Sequence, residues 1–563
     1  MTTATAPTDS RPMPPVLGRL MSGTFWMALR TPLAAVFAFI SIPLTVWAIG
    51  VKASSAYDFA WSFGFFQFLL EFGMSSSLQR QTSEAWTRGD RAGVDRAIAC
   101  GMNFYAVMTV VQILALLGVA YLAVPHSVYD QERQRLIVKL LWLQALTAPC
   151  YGLSMVASSV LQAARRYDFL PRFDLAIIVL RFLVLVVGLG TASRGGHVQP
   201  DDFFLIVVVQ TAVQVGLSLG PALWVMTREL GHVPHFSGAR REDYRALFHI
   251  SFFMFLIQLS VVLADKIDSA ILGFALDDEA ANAVYKYVSK PFVQIRQTGW
   301  TLAYLVMPAV ASLATARDER GLERVKYDGT RLHIGVLLPI SLLAWVYAGP
   351  FLSLWVGDTL GYDATRLAPL FRLFLVATLP LVLAVPVQMA IGMNRIKVVA
   401  LAALVGSLVN LPISYFLVRR LGAHDVIAGV SGVVWGTVLT TLFSNLLVPG
   451  VYVFRVLEVR LWTFLARTLS APLVGAAALV ASTWALRMAL PPAPPGTTPS
   501  ARSLLLLGHL ALGSLAYVAG YLAVPTGRGD LAALVGWLRR RLASAPRAEG
   551  AAPPFRSPGD GLD

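Results

Sequence analysis

The sequence predicts an all-α polytopic membrane protein, with about 14 transmembrane helices in two pseudo-symmetric six-helix lobes plus two C-terminal helices. Three observations predict it. Of 563 residues, 56% are hydrophobic and only 14% charged, with a mean hydropathy of +0.64, which is far more apolar than a soluble domain. A helix needs about 20 apolar residues to cross roughly 30 Å of hydrocarbon, and fourteen stretches meet that length. One internal offset of 228 residues relates two separate span-loop-span junctions.

Residues 1–22 are rich in Pro and Thr, with Arg11 and Arg19, and read as a cytoplasmic N-terminal tail. The apolar stretch that follows lacks a small-residue cleavage site and reads as an uncleaved first span. The N-lobe, 23–242, holds helices 1–6, expected at 24–49, 57–79, 97–124, 136–163, 169–192 and 203–227. The C-lobe, 243–456, holds helices 7–12, expected at 246–275, 284–311, 332–356, 367–393, 398–418 and 427–454. Helices 13 and 14, within 457–525, are expected at 468–490 and 503–524, and 526–563 as a disordered basic cytoplasmic tail. Alternating ten-residue strands are missing and lipid forbids open sheet edges, which leaves helix as the assignment.

Inside loops are basic if the N-terminus is cytoplasmic, as in Arg80 to Arg91 and Arg317 to Lys326, while Asp277-Asp278-Glu279 outside is acidic. That asymmetry places both termini in the cytoplasm and the protein in the cytoplasmic membrane. Net charge is +14, but the basic residues are scattered between spans and form no aromatic-basic platform, so nucleic acid is not an expected partner. No loop is long enough for a soluble catalytic domain, so a transporter is expected and not an enzyme. Cys100 and Cys150 lie without metal spacing and read as buried thiols, so no cofactor is expected.

The offset of 228 pairs Tyr57, opening span 2, with Tyr285, opening span 8. It also pairs the end of span 4 at Leu161-Gln-Ala-Ala with that of span 10 at Met389-Ala-Ile-Gly. An even number of spans between repeats makes them parallel, related by an axis along the membrane normal, and transporters place cargo between such repeats. The run Ala264-Asp-Lys-Ile-Asp268-Ser-Ala-Ile-Leu-Gly273, with Tyr285-Lys-Tyr287, Met307-Pro308 and Trp355-Val-Gly357, resembles the second lobe of polysaccharide flippases. Ile42-Pro43, Ala48-Ile-Gly50 and Phe72-Gly73-Met-Ser-Ser-Ser-Leu-Gln-Arg80 resemble their first lobe. These proteins form a branch of the multidrug/oligosaccharidyl-lipid/polysaccharide superfamily. The resemblance implies a twelve-helix core, often with two added helices, that moves a polyprenyl-pyrophosphate-linked oligosaccharide between leaflets. It implies membrane lipids as surroundings, and a glycan polymerase and glycosyltransferases as partners.

Basic residues inside the spans agree with an anionic cargo: Arg30, Lys139, Arg181, Lys266, Lys286, Lys290, Arg296 and Arg372. Each costs at least about 2.5 kcal/mol in hydrocarbon, so it persists where it is paired, wetted or used. At about 100° per residue, Lys286, Lys290 and Gln297 share one stripe of span 8, with Arg296 off it. Arg181 lies mid-span, with Glu71 as one candidate partner, and Arg372 lies half a dozen residues into its span. In the resembling families a basic residue on the first helix contributes to the cargo site, a role that passes to Arg30. Asp265, Asp268 and Glu71 are the candidates for proton or sodium coupling or for structural ion pairs, Asp265 or Asp268 with Lys286 or Lys290. The alternatives are a cation-coupled multidrug exporter, whose cavity should be dominated by acids, and a membrane-embedded glycan enzyme, disfavoured by the short loops. Alternating access between the lobes is the expected mechanism.

Overall fold

The computed structural model describes residues 15–64, 74–164, 169–193, 198–244, 267–276, 278–304, 317–355, 364–393, 395–423, 425–489 and 498–543, together with 66, 255, 256, 259, 260, 263, 306, 310, 313 and 314. Every regular element among them is helical. The N-lobe contains α1 (Pro15–Ser62), α2 (Met74–Thr87), α3 (Arg91–His126), α4 (Gln131–Ala163), α5 (Phe169–Ala192) and α6 (Pro200–Glu229). The C-lobe contains α7 (Ile267–Ala275), α8 (Ala281–Tyr304), α9 (Glu319–Val346), α10 (Ala348–Trp355), α11 (Ala364–Gly392), α12 (Lys397–Gly422) and α13 (Val426–Val456). α14 (Leu461–Ala489), α15 (Pro499–Ala523) and α16 (Pro525–Ala543) follow.

Eleven described helices are long and apolar enough to cross a membrane. α8 is not one of them despite its 24 residues, because Lys286, Lys290 and Arg296 interrupt its apolar character. The spans expected at 57–79 and 246–275 fall partly outside the described residues. Spans 1 and 2, expected as separate helices, are two helical limbs that meet at a kink within α1. The only break is Gly50, at φ 78 and ψ 165. That backbone conformation is open to glycine without a Cβ clash, so no loop is needed between the two limbs. Large apolar side chains stand exposed along the outer helices, among them Leu114, Leu122, Leu146, Leu205 and Val187, a surface that suits lipid and not water.

The offset of 228 recurs in backbone detail. Asp90 caps α3 by accepting the Gly93 N–H at 2.8 Å, and Asp318 caps α9 by accepting the Gly321 N–H at 2.9 Å. Each cap follows a left-handed residue, Gly89 at φ 69 and Arg317 at φ 55. α5 and α12 start at Phe169 and Lys397, and Pro221 and Pro449 interrupt α6 and α13 at equivalent places.

Among the described residues, apolar packing joins the lobes at one end only. Near Gly50, Val46, Ile42 and Val51 of α1 pack into the C-lobe cluster around Tyr285, Phe292 and Phe371, and Ala270 of α7 packs against the N-lobe cluster around Phe59 and Phe203. At the opposite end, among the described residues, the cluster of Met74, Ile98 and Val225 takes in nothing beyond Tyr244, and that of Val310, Leu381 and Val453 combines C-lobe helices with Leu457 and Phe464 and includes no N-lobe residue.

The tail expected to be disordered from 526 is helical through Ala543. The reason is an anchor invisible to composition: Arg331 of α9 is buried and makes two bonds to Asp530 of α16, at 2.7 and 2.6 Å, with Tyr521 donating to the same carboxylate at 2.6 Å.

Candidate functional site

A cavity of about 410 Å³ lies between α1, α5 and α6 of the N-lobe and α8 of the C-lobe. Three cations line it, Arg181 on α5 and Lys286 and Lys290 on α8. α8 buries Tyr285, Val288, Phe292 and Ile295 in its own lobe, which leaves the stripe of Lys286, Lys290 and Gln297 as its open face. α5 presents Ile177, Ile178, Arg181 and Leu185 to the cavity, neighbours on one face of a helix.

Arg181 is held from both sides. Its Nη1 donates to Gln214 Oε1 at 2.7 Å, and its carbonyl accepts from Gln210 Nε2 at 2.9 Å. Its Nε is buried without a hydrogen-bond partner among the described residues. A guanidinium N–H withheld from water and from protein is an incomplete group. Lys286 donates to Asp58 of α1, a residue 8% exposed. Among the described residues Asp58, and not Asp268, is therefore the partner of Lys286, and Gln214 is a partner of Arg181. Asp265 and Glu71 themselves lie outside the described residues.

The other candidates spread out. Arg30 pairs with Asp174 at 3.1 Å, one turn before Ala34 on the cavity face of α1, and so sits at the cavity mouth. Gln297 is exposed beyond the cavity lining on the same α8 face. Arg372 donates to the Trp345 carbonyl at 3.2 Å, inside the C-lobe and away from the cavity. Asp268 is fully buried, accepting from Tyr285 Oη at 2.8 Å and Thr437 Oγ1 at 3.2 Å. Arg296 lies over the Phe292 ring and Lys139 pairs with Asp201, so neither joins the cavity.

Sequence reasoning missed Asp58, Gln210 and Gln214. It also missed the stacked pair Phe37 and Phe182, 4.5 Å between centroids, which gives the cavity an apolar wall. Asp58 was within reach, since the offset that pairs Tyr57 with Tyr285 pairs Asp58 with Lys286.

The end near Gly50 is shut by contacts between lobes. Ser54 bonds Tyr287 at 2.8 Å, Asn282 donates to Tyr129 Oη at 3.2 Å, and Trp355 Nε1 donates to the Phe39 carbonyl at 2.7 Å. Gly273 approaches Phe59 so closely that a Cβ there would run into the ring.

Solved structures share this fold. A lipid II flippase MurJ in an inward closed conformation superposes with a TM-score of 0.65 at 12% identity, covering 88% of this chain and 98% of that one. An inward-facing multidrug resistance MATE family transporter of the MOP superfamily gives 0.59 at 14% identity, covering 79% and 99%. No curated protein sequence matches the chain significantly. Residues 62–360, more than half of the chain, match the family described as "Polysaccharide biosynthesis protein". The chain is a multi-pass membrane protein with the MOP-superfamily fold, and it belongs to the polysaccharide biosynthesis protein family.

Proposed function

We propose that the protein is a flippase that carries a polyprenyl-pyrophosphate-linked oligosaccharide across the cytoplasmic membrane by alternating access. The observation that carries this reading is the convergence of Arg181, Lys286 and Lys290, from both lobes, on one cavity. A diphosphate is a compact multiple anion, and cations in low dielectric hold it far more strongly than in water. Its higher charge competes with Asp58 for Lys286, so loading breaks a bond between the lobes and replaces it with one through the cargo. The Phe37 and Phe182 wall offers an apolar face to sugar rings, while the prenyl chain stays in lipid.

With the N-terminus cytoplasmic, the joined end near Gly50 faces outward and the separated end faces the cytoplasm. The structure is then in the loading state, and rocking of the lobes exchanges the two ends. Asp268, buried between two hydroxyl groups, is the carboxylate suited to proton or sodium coupling. A glycan polymerase and glycosyltransferases are the enzymes that would consume and supply such a cargo. Movement of a pyrophosphate-linked glycan between leaflets of proteoliposomes tests the reading. Arg181→Ala and Lys290→Ala should each slow it at least about ten-fold, the equivalent of roughly 1.4 kcal/mol. Wild-type rates in both variants would remove the basic-cavity mechanism.

A further inference from the structure

Glu279, in the turn before α8, reaches across to the N-lobe and is only 14% exposed. One of its oxygens lies 3.0 Å from Lys52 Nζ and 3.1 Å from Arg133 Nη1, and the other accepts the backbone N–H of Asp130 at 2.9 Å. Asp130 is the N-cap of α4, so that N–H stands at the positive end of a helix of 33 residues. Two cations and a peptide N–H converging on one carboxylate is the chemistry of an oxyanion site, here filled from the opposite lobe. Beside it opens a recess of about 380 Å³ lined by Lys52, Arg133, Gly50 and Glu132.

The cations belong to the N-lobe and the carboxylate to the C-lobe. Separation of the lobes at this end withdraws Glu279, which leaves Lys52 without that carboxylate and Arg133 with only the Asp130 carboxylate of its own lobe. We propose that Lys52, Arg133 and the N-terminus of α4 form a second, exit-side diphosphate site, occupied by Glu279 while this end is closed and by the cargo diphosphate once it opens. The proposal rests on the flippase reading and adds a direction to it. Glu279 and the cargo compete for the same donors, so reclosure of the lobes expels the diphosphate and blocks its return.

The test uses the full chain in phosphatidylcholine nanodiscs and titrates inorganic pyrophosphate calorimetrically. Glu279→Gln should bind pyrophosphate about ten-fold more tightly than wild type. In that background Lys52→Gln, a change to a side chain 60% exposed that leaves folding intact, should remove most of the gain, and Lys52→Gln with Arg133→Gln all of it. No gain in Glu279→Gln, or a gain that survives loss of both cations, overturns the proposal. Phosphatidylglycerol in the nanodisc is the competing source of phosphate. If it erases the gain, the site takes a bilayer lipid and the cargo assignment is overturned. Lys290→Ala in the Glu279→Gln background should keep the pyrophosphate gain, while the flipping assay with Lys290→Ala alone reads the central cavity. Failure of either site is thus seen separately.

Discussion

Asp58 and Lys286 are bonded to each other and are also equivalent positions of the two repeats, 228 residues apart in the sequence. Equivalent residues of two parallel repeats meet only where the repeat axis passes between them. Identical charges there would repel, and identical apolar residues would leave the cavity dry. Divergence into an acid and a base turns the axis into a clasp between the lobes.

Exchange of this pair should separate its structural and functional parts. Lys286→Ala leaves Asp58 buried without its cation and should destabilise the protein by about 3 kcal/mol. Asp58→Lys with Lys286→Asp restores the pair and should recover most of the thermal stability lost in Lys286→Ala. Flipping should recover as well, since the cation is merely moved across the axis. A swapped protein that is stable yet inactive would show that the lysine must sit on α8.

Gly273 marks how tightly the end near Gly50 closes. Gly273→Val places a side chain against the Phe59 ring, and overpacking of this kind costs about 1–3 kcal/mol, borne by the closed state alone. The equilibrium should shift toward opening at that end. Ser55 is fully buried in the closed state, so Ser55→Cys, with Cys100 and Cys150 replaced by Ser, reports the shift. Labelling by a membrane-impermeant maleimide should speed up about ten-fold in Gly273→Val.

Arg317 adopts at φ 55 the left-handed conformation that Gly89 adopts in the other repeat, without the glycine that makes it cheap. Arg317→Gly should relieve about 0.5–1 kcal/mol, partly offset by the greater freedom of an unfolded glycine. A melting temperature raised by less than about 1 °C in detergent is the expected outcome. Gly89→Arg should do the reverse.

Asp530 holds α16 to α9 through Arg331. Asp530→Ala leaves that guanidinium buried with Asp328, 2.9 Å away, and the Arg467 carbonyl, 3.0 Å away, as its remaining partners. The loss should cost about 3 kcal/mol and release α16. Trypsin cleavage at Arg528 should become fast in Asp530→Ala and remain slow in Asp530→Asn, which keeps an oxygen acceptor. Equal protection in both would show that packing, and not the ion pair, retains the helix.

Hydropathy made the helices legible because apolar length is a local property, and the offset made the two lobes legible because the caps at Asp90 and Asp318 repeat in sequence as in space. The stripe of Lys286, Lys290 and Gln297 was readable from helical phase alone. Partners were not. Phase says which way a side chain points from its own axis and nothing about what faces it, so Gln214, across a helix boundary, stayed hidden, and Asp58 could be reached only through the repeat offset. Depth within a span misplaced Arg372, which reaches a carbonyl in its own lobe. The ordered α16 escaped because its single anchoring acid looks like any other residue of a basic tail.

The one-sided apolar seam between the lobes has a thermal consequence. Among the described residues, widening the gap at the end away from Gly50 uncovers no shared apolar cluster, whereas opening the end near Gly50 exposes Val46, Ile42 and Ala270 to the cleft. Only the second motion carries a heat-capacity change of hydrophobic exposure. Cooling weakens hydrophobic attraction, so it should favour the state open near Gly50, and the balance between the two states should bend with temperature instead of following a straight van't Hoff line.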